Sequence, residues 1–270
     1  MFPRAILMTA ATQGGGRDSD LAAWAAAVVA NGGTVSAARA AIVAQFIGAE
    51  KDAGTWARTD DYWLLCAESS VQALTSLKQR RLATVTAAPT FTTDRGYAFN
   101  GTTQYLDTGF IPDTHKVAMA TNEARFSTYE RTNVAANSYA SGIINGTSIR
   151  FVCLPRSGTN TIQLAANTAS TNMVGTTADS RGLTSTSRTA AGVCSFYKNG
   201  SFVETYSPTL GASLPTISLY IGGYNNAGVA AGFRASTLGF ASIGASLTAA
   251  QELASYNAMQ AYMTAIGANV

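Results

Sequence analysis

Apolar positions along this chain recur with two different periods, and the change falls near residue 83. Before it the spacing is helical, with apolar residues three and four apart. Leu21, Trp24 and Val28 share one face, Asp18-Ser19-Asp20 offers a cap, and Asn31-Gly32-Gly33 stops the helix. Ser36 caps a second helix with a stripe of Ala38, Ile42 and Phe46, flanked by Val43 and Ile47 and closed by Gly54. A third helical segment is predicted over 59–67, started by Asp60. A fourth is predicted over 69–81, started by Ser69 or Ser70 and turning Val71, Leu74 and Leu77 inward. Short helices of this kind must pack on each other or on a neighbour.

Beyond residue 83 Thr, Ser, Val and aromatic residues rise, and turn signals come about every 8–12 residues, the mark of an all-β sandwich or barrel. The predicted strands are 96–99, 104–109, 116–121, 125–131, 139–144, 148–154, 160–165, 182–188, 192–198, 201–206, 216–223 and 234–243. The stretch RGYAFNGTTQYLDTGF (95–110) reads as strand, Asn100-Gly101 turn and strand. In VCSFYKNGSFVETY, Asn199-Gly200 predicts a two-residue type I′ turn. That turn pairs Lys198 with Ser201, Tyr197 with Phe202 and Phe196 with Val203, and it turns Cys194, Phe196 and Val203 inward. The chain closes on a helix with a Thr248–Gln251 capping box, a packing stripe of Leu253, Tyr256, Met259 or Gln260, and Met263, and a stop at Gly267.

Composition narrows the function. The chain has 270 residues, 47% of them apolar, enough for one large β domain and a small helical one. Charged residues are only 12%, so Thr, Ser, Asn, Gln, Gly and Ala must cover the surface, which suits a protein built into assemblies. Net charge is +3, and the one basic run, KQRR (78–81), is read as a solvated helix end rather than a nucleic-acid patch. Cys66, Cys153 and Cys194 fit no metal spacing and are read as buried thiols, with an intermolecular bridge as the alternative. No secretory signal or membrane span is read in the sequence. The N-x-S/T matches at Asn100, Asn145 and Asn199 are each Asn-Gly turns.

Several of these stretches carry a resemblance. YAFNGTTQYLDTGF, VCSFYKNGSFVETY, LYIGGYNNAG and LGFASIGASLTAAQELASYNAMQAYM resemble, in order and spacing, laminin-G-like domains of the concanavalin A-like lectin/glucanase class, over roughly 85–265. The resemblance implies a mainly β, antiparallel jelly-roll sandwich over 83–270, closed by the C-terminal helix, with 95–110 as its first hairpin. The Ala-rich helical lead-in with WLLCAESSVQALTSLKQRRLA resembles structural proteins of tailed bacteriophages and prophages. That implies a virion component (capsid decoration, neck, baseplate or fibre) assembled in the bacterial cytoplasm. It further implies an arm at 1–17, a helical attachment region at 18–82, contacts with other virion proteins and a homo-oligomer such as a trimer. Neither nucleic-acid binding nor membrane insertion is expected.

A glucanase of this class needs paired carboxylates as Glu-x-Asp-x-x-Glu or a near variant, and none occurs. Glu123 and Glu130 are seven apart, which puts them on opposite faces of a regular strand. His115, the only histidine, is read as a loop residue. ATQGGGRD lacks the Lys-Ser/Thr of a phosphate loop and is read as a tether into the first helix. No cofactor is expected. Calcium is the alternative, with Asp107 and Asp113 flanking the TGFIPD turn, against plain turn capping. For a host surface glycan the candidate is the loop 222–228, where Tyr224 would stack on a ring and Asn225 or Asn226 would hydrogen-bond hydroxyls, against a Gly/Asn connection chosen for its backbone. The expected function is thus a non-enzymatic virion structural protein. A glycan-binding module is the alternative and a glycoside hydrolase is disfavoured.

Overall fold

The structure, a computed structural model, describes residues 15–270. Its elements are α1 (Gly15–Ala30), α2 (Ala37–Asp52), β1 (Thr59–Trp63), α3 (Ser70–Leu74), β2 (Thr84–Thr86), β3 (Thr90–Thr92), β4 (Gly96–Ala98), β5 (Tyr105–Asp107), α4 (Pro112–His115), β6 (Ala124–Glu130), β7 (Ser141–Ile144), β8 (Arg150–Leu154), β9 (Thr161–Thr168), β10 (Asn172–Thr176), β11 (Gly182–Ala190), β12 (Val193–Lys198), β13 (Ser201–Tyr206), β14 (Tyr220–Ile221), β15 (Tyr224–Asn226), β16 (Val229–Ala231), β17 (Thr237–Gly244) and α5 (Ala249–Ala265). The first sheet runs β13-β12-β11-β6-β17-β4-β3, with β1 also on β17. The second runs β10-β9-β8-β7-β14-β5-β2, and the small hairpin β15–β16 joins it through a parallel pairing of β15 with β7. The two sheets face each other as the sandwich that the strand pattern predicts.

Side-chain alternation sorts the apolar residues into two cores. Between the sheets lie Trp63, Leu106, Phe110, Phe126, Ile143, Phe151, Leu164 and Phe196. Phe126 of the first sheet meets Phe151 of the second edge to face, centroids 6.4 Å apart. On the outside of the first sheet, Tyr62, Tyr129 and Phe240 pack against Trp24 and Val28 of α1, Val43, Phe46 and Ile47 of α2, and Met259, Tyr262 and Met263 of α5. The three long helices therefore cover the first sheet, and the outside of the second sheet is the broad face they leave open.

This arrangement corrects several expectations. Residues 59–63 form a strand, not a helix, because both of its faces are buried. Trp63 points between the sheets and Tyr62 under the helices, so the apolar run has no polar side to reveal its period. Asp60 caps no helix. Its carboxylate accepts the N–H groups of Val117, Ala118 and Met119, at 2.6–3.2 Å, and so holds as a loop the 116–121 stretch predicted as a strand. The boundary at 82/83 does not divide the structure, since β1 is a strand of the first sheet.

The predicted 69–81 helix stops at Leu74, with Ser69 as its cap. KQRR is a turn with Arg80 at φ +60°, and Lys78 lies over the Trp56 ring, 5.1 Å from its centroid. Helix α1 already runs at Gly15, so Asp18–Asp20 lie inside it. Of the predicted arm and tether, residues 1–14 fall outside the described residues. Ala38 and Leu253 face solvent, while Arg39, Glu50, Glu252 and Ser255 occupy the inward faces in their place. Ser36 and the Thr248–Gln251 box cap α2 and α5 as predicted.

Residues 95–110 are not a hairpin. β4 pairs with β3 and β17, whereas β5 pairs with β2 and β14, so the chain crosses between sheets. Gly96 lies so close to Leu238 of β17 that a Cβ would stand 2.1 Å from its carbonyl oxygen. Asn100 Oδ1 gathers the N–H groups of Thr102, Thr103 and Gln104 into a loop rather than a two-residue turn. At the 199–200 hairpin the turn forms with φ +51° and +73°, and the first two pairs stand as predicted. A bulge then pairs Phe196 with Glu204 rather than Val203. Val203 is consequently 44% exposed, while Cys194 and Phe196 are buried.

Candidate ligand-binding face

The open face of the second sheet collects tyrosines. Leu106 and Ile221 point into the core, so alternation turns Tyr105, Asp107 and Tyr220 outward. Tyr105 stacks on Tyr220 with centroids 4.5 Å apart and rings 25° from parallel, and Phe233 lies 6.2 Å from Tyr105. Burial first, and then Asp107 and Tyr105, push the Tyr220 phenol up to about 12. Across Gly232 lies a second group. Tyr224 meets Tyr139 edge to face at 5.0 Å, and the Tyr139 hydroxyl donates to Gln163 Oε1 at 3.3 Å. Burial, with Tyr224 next, raises the Tyr139 phenol above its ordinary value, while Thr171 and Arg150 oppose the rise. Gly232 is small for a reason. At φ +59°, a Cβ would stand 2.3 Å from Tyr224 Cε1 and 2.9 Å from Tyr139 Cδ2.

The predicted loop 222–228 is therefore mostly the strand β15 and its turn. Tyr224 is half-buried and joins the aromatic group. Asn225 is buried, its Nδ2 donating to the Ser218 carbonyl at 2.9 Å and its Oδ1 accepting from Gly228 N at 2.8 Å, so its amide holds the hairpin. Asn226 is exposed beside it. Among the described residues Tyr224 Oη and Gln163 Nε2 make no hydrogen bond and stay available to a ligand. Tyr139, Gln163, Tyr105, Tyr220 and Phe233 escaped the sequence reading. They come from five separate segments, and only the pairing of β8, β9, β14 and β5 around β7 brings them together.

The other candidate groups are engaged elsewhere. Asp107 Oδ1 accepts from Gly109 N at 2.9 Å, and Asp113 pairs with Lys116 at 2.7 Å. Among the described residues no group of three His, Cys, Asp or Glu side chains is placed to hold a metal. His115 ends α4, and its Nδ1 accepts from Ile111 N at 2.8 Å. Glu123 is paired with Arg58. Glu130, fully buried, is gripped by Arg234 through Nε–Oε1 at 2.6 Å and Nη2–Oε2 at 3.0 Å. Glu252 is held the same way by Arg125, at 2.9 and 3.0 Å. Glu50 accepts from Tyr62 and Ser255 under the helices. A polar cleft of about 340 Å³ opens near the start of α5, lined by Arg58, Glu123, Thr189, Ser246, Leu247, Thr248 and Gln251. Its polar walls bond chiefly to each other, Ser246 Oγ to Glu123 and Thr248 to Gln251. The three cysteines are free and buried, and burial pushes their thiols up to about 12, 12 and 11 in chain order.

No family model matches the chain, and no curated protein does. Solved structures do match in fold. Domain 4 of AbnA, a GH43 extracellular arabinanase from Geobacillus stearothermophilus, in complex with arabinotriose, is similar with a TM-score of 0.52 at 12% identity, over 73% of this chain and 97% of that domain. The receptor-binding domain of a botulinum neurotoxin C/D mosaic gives 0.53 at 8% identity, over 74% of this chain and 51% of that one. Trypanosoma rangeli sialidase in complex with the inhibitor DANA gives 0.52 at 13% identity, over 80% of this chain and 38% of that one. At these identities the likeness is one of fold, a β-sandwich of the kind found within carbohydrate-active and receptor-binding proteins. The chain spans about two fifths of the sialidase and half of the neurotoxin domain.

Proposed function

We propose that this chain is a non-catalytic sandwich module that binds a glycan on the open face of its second sheet. The observation that carries the proposal is the Tyr139–Tyr224 pair, set beside a Gln163 amide with free N–H groups. A half-buried aromatic ring braced edge to face by a second one and bordered by a few fixed polar groups offers a sugar ring an apolar face to stack on and donors for its hydroxyls. The AbnA domain with arabinotriose supports the choice of ligand class. Glycoside hydrolysis uses two acids flanking one bond, and here Glu130, Glu252 and Glu50 are spent on buried partners while Glu123 pairs with Arg58. Screening the purified chain against an oligosaccharide array tests the proposal. Micromolar to millimolar binding to a defined set of sugars, with no reducing ends released, is expected, and an array blank at millimolar ligand overturns it.

Display of the module on a phage particle rests on the sequence resemblance alone. It predicts a multi-copy chain in purified virions, countable by mass spectrometry, with other virion proteins and further copies of the chain as its neighbours.

A further inference from the structure

Arg150, on β8, is half-buried and differs from the arginines that hold an acid. Arg125 and Arg234 each grip a glutamate, and Arg39 and Arg58 each pair with a carboxylate. Arg150 has no carboxylate within ion-pair distance among the described residues. Its one hydrogen bond runs from Nη1 to Thr171 Oγ1 at 3.3 Å, and its Nε is buried without a partner. Buried Arg188 and half-buried Arg81, Arg131, Arg156 and Lys198 also lack an ion-pair acid among the described residues, but each places at least one donor on a protein oxygen at 3.2 Å or closer: Arg188 on the Ala166 carbonyl, Arg131 on Ala268, Lys198 on Ser180, Arg156 on Asn133 and Asn160, and Arg81 on Gln79. Arg150 lies on the sheet that carries the aromatic groups: it pairs with Ile144 of β7, which pairs in turn with Asn226, two residues from Tyr224, and its Nη1 reaches Thr171. Its charge also acts on the Tyr139 phenol.

A guanidinium left with unused donors beside a stacking platform is suited to a planar anion. Its fork matches the two oxygens of a carboxylate, and the charged hydrogen bonds are about twice as strong as neutral ones. The one outward carboxylate of this face, Asp107, is on β5, three strand spacings from β8 or roughly 14 Å. It already accepts from Gly109 N. Repulsion from it is weak at that distance across water. We infer that the face selects acidic glycans, with Arg150 receiving the carboxylate of a uronic-type sugar whose ring, or whose neighbour's ring, lies against Tyr224 and Tyr139. This rests on the glycan-binding proposal above and names the sugar class for that face.

The test uses a matched pair of ligands, oligogalacturonate and the neutral α-1,4-linked galactose oligosaccharide of equal length made from it by carboxyl reduction, which differ only in the carboxylate at C6. Calorimetric titration of the full chain is expected to show roughly tenfold tighter binding of the acidic ligand at low salt. The gap should narrow as salt rises. Arg150→Gln should bring the acidic ligand down to the affinity that the same variant shows for the neutral one, and Arg150→Lys should keep part of the preference. A melting temperature equal to the parent's shows that each variant is folded. Equal binding of both ligands by the parent, or a preference that survives Arg150→Gln, overturns the acidic assignment while the glycan-binding proposal stands. Binding of neither ligand by the parent, with other array sugars still bound, also overturns it. A blank array removes both.

Discussion

Removing the Arg234 side chain as Arg234→Met separates a structural Glu130 from a catalytic one. The guanidinium sits inside the sandwich wall with no exposed surface and serves two purposes. It pairs with Glu130 through two bonds, and it holds the 132–140 segment by donating to the carbonyls of Val134 at 2.7 Å and Ser138 at 3.0 Å. Methionine keeps most of the volume but leaves a buried carboxylate with no hydrogen-bonded counter-charge. Breaking a buried pair by losing one partner costs about 3–5 kcal/mol. The freed carbonyls add to this only in part, since the segment can relax toward water. About 4 kcal/mol lowers the melting temperature of a domain this size by roughly 8–16 °C. Glu130→Gln should cost about as much, because it strands the arginine. The double variant Glu130→Met/Arg234→Met should lose clearly less than the sum of the two single losses, since no charge is left buried. Urea unfolding with a shared slope measures all of these. Loss of under about 1 kcal/mol in Arg234→Met refutes the reasoning. So does a Glu130→Gln variant of parental stability that has lost a glycosidase activity present in the parent.

Other expectations follow from the same geometry. Asp61 is fully buried, and desolvation pushes its carboxyl up from 3.8 to about 6. The folded state therefore holds that proton more tightly than the unfolded chain does, so Asp61 makes stability fall as pH rises from about 4 to 6, by about 3 kcal/mol at most. Asp61→Asn, which keeps an acceptor for the N–H groups of Tyr62, Lys78 and Gln79, should flatten that part of the stability–pH curve, and an unchanged slope would show that Asp61 is not its source. The buried thiols of Cys66, Cys153 and Cys194 should resist a thiol reagent in the native protein and all react in denaturant, whereas fast native labelling would contradict their placement. Gly232→Ala should push Tyr224 and Tyr139 apart and cut glycan affinity about tenfold or more for a stability loss of about 1–2 kcal/mol. Parental affinity in that variant would exclude the tyrosine pair from the site.

What the sequence disclosed depended on whether the signal was local. The caps at Ser36 and Thr248 and the turn at Asn199-Gly200 are written in adjacent residues, and they form as read. Most of the longer strands of the sandwich follow from their spacing and turn residues, with errors at the ends, but 116–121 is a loop, and β2, β3, β10 and β16 are absent from the sequence reading. The stretch at 59–67 failed because a strand buried on both faces has no polar side and looks like the inside of a helix. The 95–110 stretch failed because strand partners are a tertiary choice. Nothing in the sequence says that β4 goes to one sheet and β5 to the other. At the proposed face, the structure leaves Tyr224 half-buried in an aromatic group, whereas the Asn225 amide turns inward to Ser218, a contact that no local pattern signals. Tyr139, Arg150 and Gln163 lie on different strands or loops, and only the sheet order makes them neighbours.

The most direct measurement is the affinity of Tyr224→Ala, beside the parent chain, for whichever array oligosaccharide binds best. Tyr224 is half-buried, packs on Tyr139, and its hydroxyl bonds to nothing among the described residues, so the variant should lose about 1–2 kcal/mol, melt roughly 2–8 °C below the parent and stay folded. The account predicts that it binds at least about tenfold more weakly, because a stacking surface has gone while the fold remains. Parental affinity in a folded Tyr224→Ala variant would contradict the account and place glycan binding, if there is any, on another face of the sandwich.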